Sequence, residues 1–119
     1  MADKLAGVRL FTLAELMDIF EDKAGFEQIL QTLDVPAYAI SNATCVGRIE
    51  RQAPLAADDL RFLRQYTDKP VKVTLPGPYL LTRAMYVPET ARHAYPTKED
   101  LGVDVVGVLR DEVEELVAE

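Results

Sequence analysis

The sequence has few residues that could bind a soft metal or form a disulfide. Cys45 is the single cysteine and His93 the single histidine, so no intramolecular disulfide can form. A tetrahedral zinc site needs at least three protein ligands drawn mainly from Cys and His, which argues against a self-contained zinc site. No apolar run approaches the ~18 residues needed to span a bilayer, and the first residues lack the apolar core of a signal peptide. These absences favour a reducing, cytoplasmic setting.

Basic residues are also in short supply. The chain has 20 acidic residues against 13 Lys and Arg, a formal charge of -7. Because phosphate contacts need clustered Lys and Arg, we expect neither nucleic acid nor a membrane as the main partner. The acids concentrate in residues 97–119, with eight acids against two bases, whereas residues 42–96 carry eight bases against five acids. This pattern is typical of solvated helix faces, although the middle section could also receive a small anion.

The length limits the number and kind of domains. A chain of 119 residues, 49% apolar and 28% charged, has room for one globular domain. A closed eight-stranded (β/α) barrel takes roughly 200 residues or more, so any barrel sequence here is a piece. We therefore expect a single domain over residues 1–119.

Local patterns predict alternating helices and strands. Thr12 and Glu15 form a capping box that begins a helix or pair of helices ending near residue 34. Residues 44–49 are predicted as a strand, Pro54 as the start of a helix of about a dozen residues, and residues 71–74 as a second strand. A short strand at residues 38–40 is also indicated. Pro78 starts a short helix and Thr97 caps the last one.

This order predicts an α/β fold of two to three parallel strands with flanking helices. No strand follows the last helix, so the predicted sheet is unfinished. In parallel α/β folds, ligands bind at the carboxyl ends of strands, which selects the stiff loop Pro76, Gly77 and Pro78 as a candidate binding loop.

Three sequence runs carry a family resemblance. TDKPVKVTLPGPY at residues 67–79 and LRDEVEEL at residues 109–116, with VGRIERQAP at residues 46–54, resemble the catalytic barrel of cobalamin-independent methionine synthases. The similarity extends over about residues 16–119. It implies an incomplete (β/α) TIM-type barrel segment from a methyltransferase family of methionine biosynthesis.

The resemblance also implies what this chain lacks. In that family, zinc binds the thiolate of homocysteine and lowers its pKa, so that it attacks the methyl group of 5-methyltetrahydrofolate. The zinc ligands, a His, two Cys and a Glu, lie on later strands that have no counterpart here. We therefore expect no catalytic residue, no metal ligand and no cofactor in this chain, and no methyl transfer by it alone.

Some substrate-binding positions are matched. The resemblance places Asp18 where an acidic residue binds the amino group of homocysteine. Pro76, Gly77 and Pro78 are substrate-binding candidates from their place after a predicted strand, and Lys72 and Arg48 could face an anionic glutamate tail. In that family an aromatic residue after the loop stacks on the pterin. The matching position here is Ala84, so Tyr86 is the candidate that could replace it.

Two other hypotheses stay open at this point. The chain could be a non-catalytic α/β interaction module that self-associates through an open sheet edge, since unpaired strand N–H and C=O groups invite pairing. It could also be a fragment of a related enzyme that acts on coenzyme M.

Overall fold

A computed structural model describes residues 2–19 and 41–119. After a short 3-10 turn at Ala2–Lys4, the elements are β1 (Leu5–Thr12), α1 (Leu13–Ile19), β2 (Ser41–Arg51), α2 (Ala57–Arg64), α3 (Pro78–Met85), α4 (Pro88–Ala91) and α5 (Lys98–Ala118). The predicted helix beyond residue 19 and the predicted strand at residues 38–40 lie outside the described residues. No helix of the described part is long and apolar enough to cross a membrane.

The sheet is an antiparallel pair of β1 and β2. Leu5 lies opposite Arg51 and Thr12 opposite Ser41, with a bulge in which Gly7 of β1 faces the extra residues 46–49 of β2. Gly7 has φ +77°, and a Cβ there would overlap the carbonyl oxygen of Arg48. The bulge therefore requires glycine, because only glycine adopts this conformation without strain or collision.

The prediction of two to three parallel strands is wrong for the described residues. The mixed α/β composition is confirmed, but the two strands found there are antiparallel, and β1 was not predicted at all. The strand predicted at residues 71–74 is also wrong, because residues 70–77 have no regular secondary structure. Strand formation depends on pairing with distant partners, which the local pattern of β-branched residues does not contain.

Helix starts follow local chemistry more closely. At α1, the Glu15 N–H donates to Thr12 Oγ1 at 3.2 Å and the Thr12 N–H to Glu15 Oε1 at 3.3 Å, which confirms the capping box. Thr97 makes the equivalent box with Asp100 at α5. Pro78 is the first residue of α3, as predicted. The start predicted at Pro54 is three residues early, because the N–H groups of residues 55–57 are bound by a side chain of α5, described below.

The main core lies between α5, β2 and the chain from α3 to α5. Leu101, Val105 and Leu109 of α5 share one helix face and pack with Cys45 and Ile49 of β2. Met85, Ala91 and Tyr95 complete the cluster. A smaller cluster of Phe11, Leu16 and Val87 joins β1 and α1 to the chain after α3. This core fixes α3 and α5 against the pair of strands and so positions the loop before α3.

Candidate functional site

The candidate binding loop of Pro76, Gly77 and Pro78 leads into α3. Gly77 caps α3 with φ -73° and ψ 158°, and Pro78 follows in the first turn, where its missing N–H costs no hydrogen bond. A Cβ on Gly77 would meet no atom within 4 Å, so nothing in the described structure requires glycine there. Two prolines flank this residue and hold the loop stiff.

A shallow groove of about 440 Å³ lies beside this loop, between α3 and α5. Its lining is mostly apolar and consists of Pro78, Tyr79, Thr82, Lys98, Glu99, Gly102, Val103 and Val106. The Thr82 hydroxyl is buried and has no hydrogen-bond partner in the described part of the chain. A Cβ on Gly102 would lie 3.6 Å from that hydroxyl, so the helices approach closely here. The groove offers an apolar surface and one free hydroxyl, but no nucleophile paired with a base.

The structure brings together only some of the predicted site residues. The loop residues Pro76, Gly77 and Pro78 are consecutive. Lys72 is exposed and lies four residues before them in the chain. Asp18 is an exposed residue of α1. Tyr86 lies at the opposite end of α3 from Pro78, and eight helical residues span about 12 Å. All of these assignments stay predictions.

The Tyr86 hydroxyl is already engaged. It donates to the carbonyl oxygen of Tyr95 at 2.8 Å and lies 3.2 Å from that of Pro96. Burial raises the pKa of the Tyr86 phenol. The side chain therefore holds the turn before α5, and its ring rather than its hydroxyl is what it could offer to a ligand.

Sequence reasoning missed a buried carboxylate at the centre of the molecule. Glu112 of α5 is fully buried, and its carboxylate accepts the N–H groups of Leu55 at 2.9 Å, Ala56 at 2.6 Å and Ala57 at 2.9 Å. The Arg51 guanidinium donates to it at 2.7 Å. Burial by itself would raise the pKa of Glu112, but these donors outweigh it and lower the pKa to about 2. The signal that could have found it is its place on the apolar face of α5, in line with Leu109.

An ion-pair network extends from Glu112 to the surface. Arg51 also pairs with Glu115, and Arg61 of α2 bonds Glu115 at 3.0 Å and Glu119 at 2.7 Å. The hydrogen bonds from Arg61 and Arg51 lower the pKa of Glu115. Two arginines thus join the acidic end of α5 to β2 and α2, which makes these charges part of the scaffold.

Tyr95 links α5 to β2 from the other side. Its hydroxyl accepts the Ile49 N–H at 2.9 Å and donates to Asp104 Oδ2 at 2.6 Å. Burial, together with the bond to Asp104, raises the pKa of Tyr95 to about 12. The Arg48 guanidinium lies 5.6 Å from the ring centroid. The phenol therefore remains protonated and structural at neutral pH.

The described residues do not fit a zinc site. Nowhere in residues 2–19 and 41–119 do three His, Cys, Asp or Glu side chains lie close enough to hold a metal ion. Cys45 is fully buried, its thiol donates to the Gly47 carbonyl at 3.2 Å, and burial raises its pKa. A thiol held neutral in this way is a poor metal ligand.

Comparisons with known proteins identify relatives of one kind. No family model matches the chain. A methionine synthase of Thermoplasma acidophilum is 25% identical over 75 residues, which are 63% of this chain and 20% of that protein. A B12-independent methionine synthase from Shewanella sp. W3-18-1, solved in complex with selenomethionine, matches 98% of this chain at 26% identity with a TM-score of 0.61.

The match covers a limited part of each relative. The chain spans about a fifth of the Thermoplasma protein and 28% of the solved Shewanella chain. The agreement nevertheless extends over nearly all of this chain's backbone and bears out the resemblance carried by residues 46–54, 67–79 and 109–116. In both sequence and backbone, the chain resembles part of a cobalamin-independent methionine synthase.

Proposed function

We propose that this chain is an incomplete TIM-type barrel segment, a single domain over residues 1–119, of a cytoplasmic methionine synthase-type methyltransferase. The observation that carries the proposal is the backbone match to a B12-independent methionine synthase, with a TM-score of 0.61 over 98% of the chain. The complete enzyme would transfer a methyl group from 5-methyltetrahydrofolate to homocysteine. This segment would supply scaffold and part of a substrate wall.

The loop before α3 is the proposed contact with substrate. In α/β folds, ligands bind at loops that lead from strand ends into helices, and residues 76–78 lead into α3. Lys72 and Asp18 are exposed charges, so neither would have to break a buried ion pair in order to bind a ligand. Lys72 would meet the glutamate tail of the folate and Asp18 the amino group of homocysteine.

The isolated chain is proposed to be inactive and to hold no zinc. What supports this is the absence of a three-ligand cluster from the described residues and the buried, neutral thiol of Cys45. Methyl transfer to a thiol requires an activated thiolate, and none of the described side chains is arranged to generate one.

The test is an activity and metal measurement on the purified chain. With homocysteine, 5-methyltetrahydrofolate and added zinc, we expect no methionine above the enzyme-free rate and far less than one zinc per chain after dialysis. Turnover, or about one tightly held zinc per chain, would refute the proposed inactivity.

A binding measurement tests the substrate wall separately. Titration with a polyglutamylated folate should show binding that Lys72→Ala weakens several-fold. The matched control is Lys69→Ala, which removes an exposed charge three residues before Lys72. Equal effects of both variants would show that the contact is general electrostatic attraction.

A further inference from the structure

Helix α5 carries a second row of apolar side chains beside its buried face. This outer stripe consists of residues spaced alternately three and four positions apart, namely Val103, Val106, Arg110, Val113 and Val117. Its four valines are exposed, from 46% at Val106 to 81% at Val117. Such spacing aligns side chains along one side of a helix, and it is the spacing through which two helices pack together. The described structure thus leaves open to water a row of side chains suited to packing against a further helix.

A groove accompanies the outer stripe in each half of the helix. Val103 and Val106 form part of the wall of the groove of about 440 Å³ against α3. Val113 and Val117 belong to a second groove of about 390 Å³, which lies between α5, α2 and residues 71–75. The stripe extends about 21 Å along the helix axis, because each residue adds about 1.5 Å. A helix of about four turns therefore has the length needed to cover the stripe and enter both grooves.

Arg110 is the middle member of the outer stripe and the source of its charge. Its side chain is exposed and makes no hydrogen bond or ion pair among the described residues. When two copies of α5 pack over the whole stripe, the middle residue meets its own counterpart, in a parallel and in an antiparallel pair alike. Two arginines would then face each other, and like charges opposed at an interface weaken binding. The stripe is therefore poorly matched to a second copy and complementary to a helix with an acidic residue at its centre.

We propose that the outer stripe of α5 binds an amphipathic helix of a partner protein, with apolar side chains at the same spacing and a central Glu or Asp opposite Arg110. The valines and the two grooves supply the apolar contact. The ion pair to Arg110 sets the register and disfavours a basic partner. The buried face of α5 takes no part, because Leu101, Val105 and Leu109 already pack against β2. This inference does not depend on the methyltransferase role.

Fluorescence anisotropy with synthetic helical peptides tests the proposal on the full chain. Two labelled peptides of 21 residues, the length of α5, have Leu at the four apolar positions and differ only in a central Glu or Lys. We expect the Glu peptide to bind roughly tenfold more tightly than the Lys peptide, because only the Glu peptide pairs with Arg110. Arg110→Glu should reverse this order, since it inverts the charge at the centre of the stripe.

Arg9→Glu is the matched control. It makes the same change of charge at an exposed residue of β1 that lines neither groove, so the order of the two peptides should stay as it is. If Arg110→Glu fails to fold, Arg110→Gln takes its place and should make the two peptides bind equally.

Four outcomes would overturn the proposal. They are failure of the Glu peptide to bind, equal affinity of the unmodified chain for both peptides, reversal of their order by Arg9→Glu, and a dimer of the unmodified chain that Val106→Lys dissociates. The last result, measured by sedimentation velocity, would show that a second copy occupies the outer stripe.

Discussion

A fully buried carboxylate is costly unless every lone pair finds a donor, and Glu112 shows how this chain meets that requirement. Three successive N–H groups at residues 55–57 and the Arg51 guanidinium surround it. The N–H groups at the start of α2 are thus capped by a side chain of α5 rather than by a neighbour in sequence. The carboxylate joins three elements at one point.

Glu112→Gln should lower the free energy of unfolding by about 3 kcal/mol at neutral pH, since it leaves Arg51 and the amides with a neutral partner. The pKa of Glu112 is about 2 when folded and 4.5 without perturbation. Its contribution is therefore complete above pH 4.5 and is lost as the pH falls through that value towards 2. Urea unfolding across this range should be steep in pH for the native chain and flatter for the variant.

Glu114→Gln is the control for this prediction. Glu114 is exposed, and its side chain makes no hydrogen bond or ion pair among the described residues. Its loss should change stability by no more than about 0.5 kcal/mol. Equal losses in the two variants would contradict the prediction, because they would show that the buried hydrogen bonds of Glu112 contribute no more than an exposed charge does.

The role of a single residue can be predicted from sequence when its partners are close to it in the chain, and not when they are distant. The capping pairs at Thr12 and Thr97 involve residues three positions away, so the sequence contained both halves of each interaction. Glu112 has partners more than fifty residues away and was interpreted as part of a solvated acidic face. The roles of Asp18, Lys72 and Tyr86 depend on ligands and stay predictions for the same reason.

At the scale of elements, the antiparallel pair of β1 and β2 depends on its bulge. Between Ala6 and Val8 the pairing shifts, and Gly7 takes up the shift with a positive φ beside the Arg48 carbonyl. The pattern of residues 5–12 lacks a clean alternation because of this bulge, which explains why β1 was not predicted. Residues 70–77 illustrate the opposite case, since their alternation predicts a strand but they have no regular secondary structure.

Gly7→Ala should destabilise the chain by about 2 kcal/mol or more, because the left-handed conformation costs an L residue roughly 1–2 kcal/mol and the Cβ also collides with backbone. Gly47→Ala is the matched control on the facing strand. Its Cβ would meet only the Gly7 Cα at 4.0 Å, an ordinary contact. Thermal melts of both variants, followed by circular dichroism, should separate them, and an unchanged Gly7→Ala melt would contradict the bulge.

At the scale of the whole molecule, the described residues form a thin and open arrangement. Their extents are 52 × 33 × 19 Å, and the Cα radius of gyration of 16.6 Å exceeds the ~13 Å expected of a compact domain of about 100 residues. Helix α5 presents apolar side chains on two faces. Leu101, Val105 and Leu109 are buried, while Val103 and Val106 are exposed. An apolar face left open to water is typical of surfaces that bind protein or cause aggregation.

The two faces of α5 predict opposite effects for neighbouring valines. Val103 is 72% exposed, so Val103→Lys should change the free energy of unfolding by no more than about 0.5 kcal/mol and reduce aggregation on heating. Val105 is 1% exposed, and Val105→Lys should unfold the chain because it buries an unpaired charge. Light scattering and chemical denaturation measure both effects. Comparable destabilisation by the two substitutions would show that the outer face is covered in solution.

The burial of Cys45 has a practical consequence for a chain with one thiol. Its sulfur lies in the cluster shared by β2, α5 and the chain between α3 and α5. An alkylating reagent can reach it only after those elements separate, and no second thiol competes for the label. The rate at which Cys45 is alkylated therefore reports how often the core opens, and no engineered probe is needed.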